Sequence, residues 1–246
     1  VYYLTNVQND LPQAYSLTLS AEKDFNNGFT ASVAYTTGKA EDNGGFEGST
    51  AFSSWPGTVA YNRNRPEIGF AQWDVPNRVV GTLTYQKGGS TILLLYRGQE
   101  AGRYSYTYSG HFGDRANRLI YIPNNASELN FVDNGGFTAA EQTAAFDRFI
   151  DQDDYLSKNR GKIAERYGAV LPYVGKFDLK LIQSFDMPTI AGQTNKIEIS
   201  LDIINIGNLA NRRHGVFQTA NQRNPLRFQG LNDNNEPTYS MNAVRG

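Results

Sequence analysis

The sequence predicts an all-β chain whose antiparallel strands cross an outer membrane as part of a β-barrel with long extracellular loops. Three observations carry that expectation. Apolar and polar residues alternate over strand-length runs, tight-turn residues separate pairs of runs, and the connections alternate between short and long.

The clearest run is Ala14 to Phe25, where Tyr15, Leu17, Leu19, Ala21 and Phe25 alternate with Ser16, Thr18, Ser20, Glu22 and Asp24. Asn26-Asn27-Gly28 then supplies residues suited to positive φ in a tight turn, and Phe29, Ala31, Val33 and Tyr35 continue the apolar face. A second hairpin is expected from Arg78 to Gln86, through Lys87-Gly88-Gly89-Ser90, into Ile92, Leu94 and Tyr96. Tyr104, Tyr106 and Tyr108 keep that parity, so residues 91–109 read as one long strand bent near Gly98 and Gly102. Tyr173, Phe177, Leu179, Leu181 and Phe185 form the next apolar face, followed by Ile197, Ile199, Leu201 and Ile203. Weaker strands are expected near Val216 and Phe217, at Leu226 to Phe228, and at Pro237 to Ala243, giving about eight passes of the kind that span a membrane.

Every long connection falls at one end of this pattern. A soluble sandwich has no reason for that asymmetry, whereas an outer-membrane barrel pairs short periplasmic turns with long extracellular loops. Phe25, Phe29, Tyr85 and Phe185 sit beside the short turns with lipid-face parity, where an aromatic girdle belongs. The longest loop contains a helical pattern from Thr138 to Ile150, with Ala139, Thr143, Phe146 and Phe149 on one side.

Composition excludes much else. Cysteine is absent, which removes disulfides and thiolate chemistry, and His111 and His214 are the chain's two histidines. A net charge of −1 gives no reason to expect nucleic acid. The mean hydropathy of −0.51, without any run of roughly 18 to 20 apolar residues, argues against a spanning helix, but a strand facing lipid on one side has a moderate average. Aromatics make up 13% of the chain, which suits strands. The chain opens mid-pattern at Val1-Tyr2-Tyr3 without a signal peptide.

Asp151, Asp153 and Asp154 have the oxygen chemistry of a calcium site or a glycosidase pair, but lack the spacing of a calcium loop and read as a solvated helix end. No metal or cofactor is expected. Arg63, Arg65, Arg212, Arg213 and Arg223 lie in or near long loops and suit carboxylates, phosphates or loop acids. Trp55, Tyr61 and Trp73 suit stacking on a ligand or packing of the loop, and Phe146, Phe149 and Tyr155 are the apolar ligand-contact candidates of the longest loop. Gly44-Gly45 and Gly135-Gly136 read as turns, not phosphate loops.

Several ordered strings carry a resemblance. They are Asp74-Val75-Pro76-Asn77-Arg78-Val79-Val80-Gly81, Tyr106-Thr107-Tyr108-Ser109-Gly110, Leu119-Ile120-Tyr121-Ile122-Pro123, Tyr155-Leu156-Ser157-Lys158-Asn159-Arg160-Gly161, and the run from Leu201 through Asn205-Ile206-Gly207 to Leu209. In order and across nearly the whole chain they resemble the C-terminal barrel region of Oar-like TonB-dependent receptors of Bacteroidota-type bacteria. The resemblance implies a barrel of about twenty-two strands with an N-terminal plug, energised through the inner-membrane TonB complex. It also implies that residues 1–246 form part of one barrel domain, whose partners are the plug and remaining strands, outer-membrane lipid and, in some relatives, a surface lipoprotein. Where relatives carry an acidic, glycine-containing loop suited to a cation, the segment from Gly110 to Arg118 keeps only Asp114 as a carboxylate, so no calcium is expected. The plug, TonB-contact segment and closing aromatic strand are not in the sequence, which ends at Val244-Arg245-Gly246, so the chain is expected to be a piece of a larger protein.

The expected function is energy-dependent import of a peptide, protein fragment or glycan across the outer membrane, without enzymatic activity. Two alternatives stand beside it. One is a surface-binding or envelope-assembly barrel without transport, and the other is a soluble carbohydrate-active β domain built around Asp151 to Asp154.

Overall fold

The structure, a computed structural model, describes residues 11–44, 48–65, 67–109, 117–190 and 193–242. Gly45, Ala243, the chain ends Val1-Tyr2-Tyr3 and Val244-Arg245-Gly246, and most of the segment singled out around His111 and Asp114 lie outside them.

The chain is mostly β, and its principal sheet is an antiparallel meander. β1 (Ala14–Asp24) pairs with β2 (Phe29–Asp42), and the chain then runs through α1 (Ala51–Gly57) and the short β3 (Gly69–Phe70), which pairs with the end of β2. β4 (Asn77–Lys87) returns beside β2, and β5 (Ser90–Glu100) lies beside β4. A long excursion follows, containing β6 (Arg103–Tyr104), β7 (Tyr121–Ile122), β8 (Asn130–Phe131), α2 (Ala139–Gln152), α3 (Asp154–Lys158), β9 (Lys162–Ile163) and β10 (Ala169–Val170). β11 (Tyr173–Ile190) then pairs with β5, and β12 (Gln193–Ile203) pairs with β11. After α4 (Gly207–Ala210) come β13 (Leu226–Leu231) and β14 (Pro237–Met241), which form a separate small sheet with β8.

The turns explain the polarity. At the β1–β2 turn the Phe25 N–H donates to Phe29 O at 2.7 Å, and Gly28 alone takes a positive φ, of 87°, so Asn26 and Asn27 keep ordinary backbone geometry. The β4–β5 turn places Gly88 and Gly89 at φ of 58° and 78°, the two left-handed positions that match a hairpin to the right-handed twist of its strands. The third hairpin connects Ile190 to Gln193. Strand order puts all three tight connections at one end of the meander and the long segments between β2 and β4, between β5 and β11, and after β12 at the other.

Two sequence expectations change. The long strand over 91–109 ends at Glu100, because Gly102 turns the chain at a φ of 127° and sends Tyr104, Tyr106 and Tyr108 away from the sheet. The late strands do not add passes to the meander: Val216 and Phe217 are in no strand, while β13 and β14 pair with each other and with β8.

The hydrophobic core lies outside the principal sheet. Tyr104, Tyr106, Tyr108, Ile120, Ile122, Phe146, Ile150, Leu156, Leu226 and Tyr239 close on one another at the long-loop end, joining the excursion between β5 and β11 to the segment after β12. Helix α2 supplies the centre. Thr138 caps it, accepting from the Glu141 N–H at 3.2 Å while Glu141 accepts from the Thr138 N–H at 2.8 Å, a reciprocal box that satisfies two end groups. Its buried face is Gln142, Phe146 and Ile150, rotated from the side that Ala139 and Thr143 suggested. Gln142 ties the helix to the last strand by accepting from the Met241 N–H at 2.9 Å.

The sheet and this loop body should therefore fail separately. Phe146 is fully enclosed, so Phe146→Ala should cost about 3–5 kcal/mol, the usual range for an aromatic truncated in a core. Limited proteolysis of the full-length protein should find the segment from Ala139 to Lys158 newly susceptible, with the strands from β1 to β5 still protected.

Candidate functional site: an uncovered sheet face and the loop body at its end

Period-two alternation sorts the principal sheet into two chemically different faces. Register places Phe25, Phe29, Tyr85, Ile92, Leu181 and Leu201 in one row across the sheet, with Leu83, Leu94 and Leu179 in the adjacent row towards the long loops. No described element covers this face along its length: Leu19 is 65% exposed, Val33 51% and Ile199 62%. Aromatics mark both of its ends. Near the tight turns stand Phe25, Phe29, Tyr85 and Phe185; Phe25 follows β1 directly and bonds to Phe29, and Phe29 and Tyr85, on paired strands, have ring centres 4.5 Å apart. Towards the long loops stand Tyr15, Tyr35, Tyr96 and Tyr173. The hydroxyls of Tyr96 and Tyr173 lie where a Cβ on Gly98 would sit, so that glycine is the recess that lets the two rings lie flat over the sheet.

The reverse face is polar and internally bonded. Thr18 and Thr36 share a hydrogen bond of 2.8 Å, Ser32 and Thr82 one of 2.6 Å, and Ser184 donates to Glu198 at 2.8 Å. Arg97 pairs with Asp178, and Lys180 with Asp202 at 3.3 Å. Val80, Leu93, Leu95 and Ile182 interrupt the polar pattern.

Buried charge fastens the loops to one another. Arg103, just past β5, donates to Asp74 at 2.6 Å, and both side chains are nearly sealed from solvent. Asp74 also accepts from the Ala40 N–H at 2.8 Å, and the Arg103 guanidinium lies 3.8 Å over the Phe70 ring. Arg166 reaches the start of the same first loop by pairing with Asp42, the last residue of β2.

At the centre of the loop body Tyr106 donates to Asp153 at 2.6 Å and shares a hydrogen bond of 3.2 Å with Tyr104. Burial pushes the Tyr106 hydroxyl well above the usual tyrosine range, and its hydrogen bond to the Asp153 carboxylate pushes the same way. Burial likewise raises Tyr108, Tyr104 and Tyr239, and takes Tyr155 to about 12.

The residues singled out in the sequence divide accordingly. Phe146 has no exposed surface, which places it out of a ligand's reach, and Phe149 and Tyr155 are half-buried against the same core. Tyr155 stacks on Tyr106 and accepts from the Glu165 N–H at 2.7 Å. The acidic cluster is structural: Asp153 accepts from the Tyr155 and Leu156 N–H groups at the start of α3, and Asp151 pairs with Arg160 at 2.7 Å. Among the described residues no group of carboxylates and histidines is arranged to hold a metal. Trp55 is half-buried beneath the Arg63 guanidinium at 5.4 Å, whereas Trp73 and Tyr61 are exposed. Tyr61 lines a cleft of about 460 Å³ with Arg65, Phe70 and Glu165. Sequence reasoning missed the Arg103–Asp74 clasp. Its signal was an aromatic, Phe70, close to Asp74 in the first long loop.

No family model, curated protein or solved structure matches this chain. What the arrangement offers chemically is read from its own residues: a broad apolar surface, a polar reverse surface and a rigid loop body with a charged, aromatic-edged cleft.

The tyrosine shifts set an alkaline limit. A raised folded-state pKa means that the fold favours the neutral phenol, so the stabilisation is complete below the ordinary value of about 10 and drains away as pH rises past it. Each such tyrosine removes about 1.4 kcal/mol per pH unit over that interval. Ultraviolet titration of the full-length protein should show Tyr104, Tyr106, Tyr108, Tyr155 and Tyr239 ionising together as the loop body opens above pH 10. Independent ionisation with unchanged near-ultraviolet circular dichroism would contradict this.

Proposed function

We propose that this chain forms barrel wall and extracellular loops of a TonB-dependent outer-membrane importer of peptides, protein fragments or glycans, and that it is not an enzyme. The observation that carries the reading is the uncovered apolar sheet face, bounded by aromatics at both ends and backed by a polar, hydrogen-bonded face. In water such a surface would be a large unpaid cost, whereas in a bilayer it meets hydrocarbon while the polar face lines a wet lumen.

The register supports closure into a larger barrel. Phe185 lies beyond Leu181 towards the tight turns, out of the row that contains Phe25, Phe29 and Tyr85. Strands tilted by roughly 35–45° shift level by about one residue per strand, so over the four steps from β1 to β11 Phe185 comes to the height of Phe25. β1 and β12 each present one edge unpaired by any described strand, and in hydrocarbon those backbone groups need further strands of the same protein. A plug inside the lumen and the TonB complex beneath it would supply gating and energy, outer-membrane lipid the surroundings, and a surface lipoprotein an outer partner. The cleft beside Tyr61 and the exposed ring of Trp73 are the ligand-contact surfaces of the loop body.

A facing experiment tests the membrane reading. Val33 lies between Phe29 and Tyr35 on β2, so Val33→Arg should impair outer-membrane assembly by roughly 2–4 kcal/mol, the depth-dependent cost of arginine against lipid. Ser32→Arg, one residue away on the polar face, loses a hydrogen bond worth about 1 kcal/mol and should assemble. Equal damage from both changes, or release of the parent protein into the aqueous fraction, would refute the assignment. Transport is tested separately. Collapsing the energised inner membrane should stop accumulation of ligand by the full-length protein while leaving surface binding intact, and accumulation that continued would favour a barrel without active import.

A further inference from the structure

We infer that the groove between β11 and the segment after β12 binds one membrane lipid through its phosphate. This rests on the membrane reading of the apolar face and adds to it a specific site.

The groove is open, about 740 Å³, and has two chemically distinct parts. Its floor is the tyrosine-rich end of the apolar face: Tyr96, Tyr173 and Phe177 around Gly175. Its rim is Arg213 and His214, carried by the chain that leaves β12. That rim is fixed. Asn205, at a φ of 55°, turns the chain back, its N–H donates to Asp178 at 2.7 Å, and the Ile206 N–H donates to Phe177 O at 2.7 Å. Asn205 also holds the His214 carbonyl at 2.9 Å and contacts its Nδ1 at 3.2 Å, while the imidazole stacks on Phe177 with ring centres 6.0 Å apart.

Arg213 is exposed and forms no ion pair with any described residue. The neighbouring carboxylate, Asp178, is committed to Arg97 and to the Asn205 N–H. A planar guanidinium at the polar edge of an aromatic floor is complementary to an amphiphile: phosphate oxygens take the paired N–H donors, and an acyl chain lies along the rings. The position selects the source. The floor runs continuously into the face assigned to hydrocarbon, at the tyrosine level where headgroups meet acyl chains, so a lipid uses both parts of the groove. A free phosphate would use only the rim.

The test uses the full-length protein in neutral detergent, with dihexanoyl phosphatidic acid, dihexanoylglycerol and inorganic phosphate as probes in calorimetry. One equivalent of the phosphatidic acid should bind. Arg213→Gln should weaken that binding about tenfold or more, in keeping with loss of a charge-assisted bidentate contact, and Arg213→Lys should retain part of it. Arg213 is exposed, so neither change threatens folding. Binding of dihexanoylglycerol as tight as that of the phosphatidic acid, displacement by equimolar inorganic phosphate, an unchanged Arg213→Gln variant, or no uptake by the parent would each overturn the inference. If these fail while Val33→Arg and Ser32→Arg still separate, the lipid site alone is lost. If that pair behaves alike, the membrane reading falls and the site falls with it.

Discussion

The rest of the structure depends on the period of two along a β-strand. Because successive side chains point to opposite faces, the alternation from Tyr15 to Phe25 and its repeats become one apolar surface as soon as the registers align, and the pairing of Leu19 with Tyr35 and of Leu83 with Leu94 aligns them. A slip of one residue would mix the two surfaces. The hairpin glycines at 28, 88 and 89 fix the register locally, so backbone conformation at three positions governs the chemistry of a whole face.

Placing the core outside the sheet follows from the same pattern. A sheet with one apolar face left uncovered and one polar, internally bonded face builds no inner layer of its own, so the loops find their stability elsewhere. They do so by pooling aromatic and aliphatic residues from distant segments. Tyr104, Tyr106 and Tyr108 come from just beyond β5, Phe146 and Ile150 from α2, and Leu226 and Tyr239 from near the end of the chain. The Arg103–Asp74 pair joins the first long loop to this assembly. A buried ion pair of this kind contributes little net stability compared with an apolar equivalent, but it fixes a single arrangement, since losing either partner leaves an uncompensated charge.

The sheet was legible because its information is local. Alternation, turn residues and connection length each act over a few positions, and they located β1, β2, β4, β5, β11 and β12. The loop body was not legible for the opposite reason. Tyr104, Tyr106 and Tyr108 carry the same alternation as the strand before them, and at Gly102, where the sequence suggested only a bend, a φ of 127° turns them out of the sheet into the core of the loop body. β13 and β14 looked like further passes because a short apolar strand reads alike wherever it pairs. Ligand-contact candidates were chosen by the general rule that aromatic residues in loops are exposed, which holds for Trp73 and fails for Phe146 once the loops share a core.

Sharing one core between two connections, with the first long loop clasped to it, restricts how the loop body can be altered. In a scaffold with independent loops, one connection can be exchanged for another sequence without consulting its neighbours. Here a graft that replaced 101–172 would also strip the packing from Leu226 and Tyr239 and the clasp from Asp74. New recognition sequences belong instead at tips whose side chains leave the core untouched, such as the turn from Asn134 to Phe137, with glycines at φ of 60° and 86°, or the one from Asn232 to Glu236. The loop body is thus modular at its rim and indivisible at its centre.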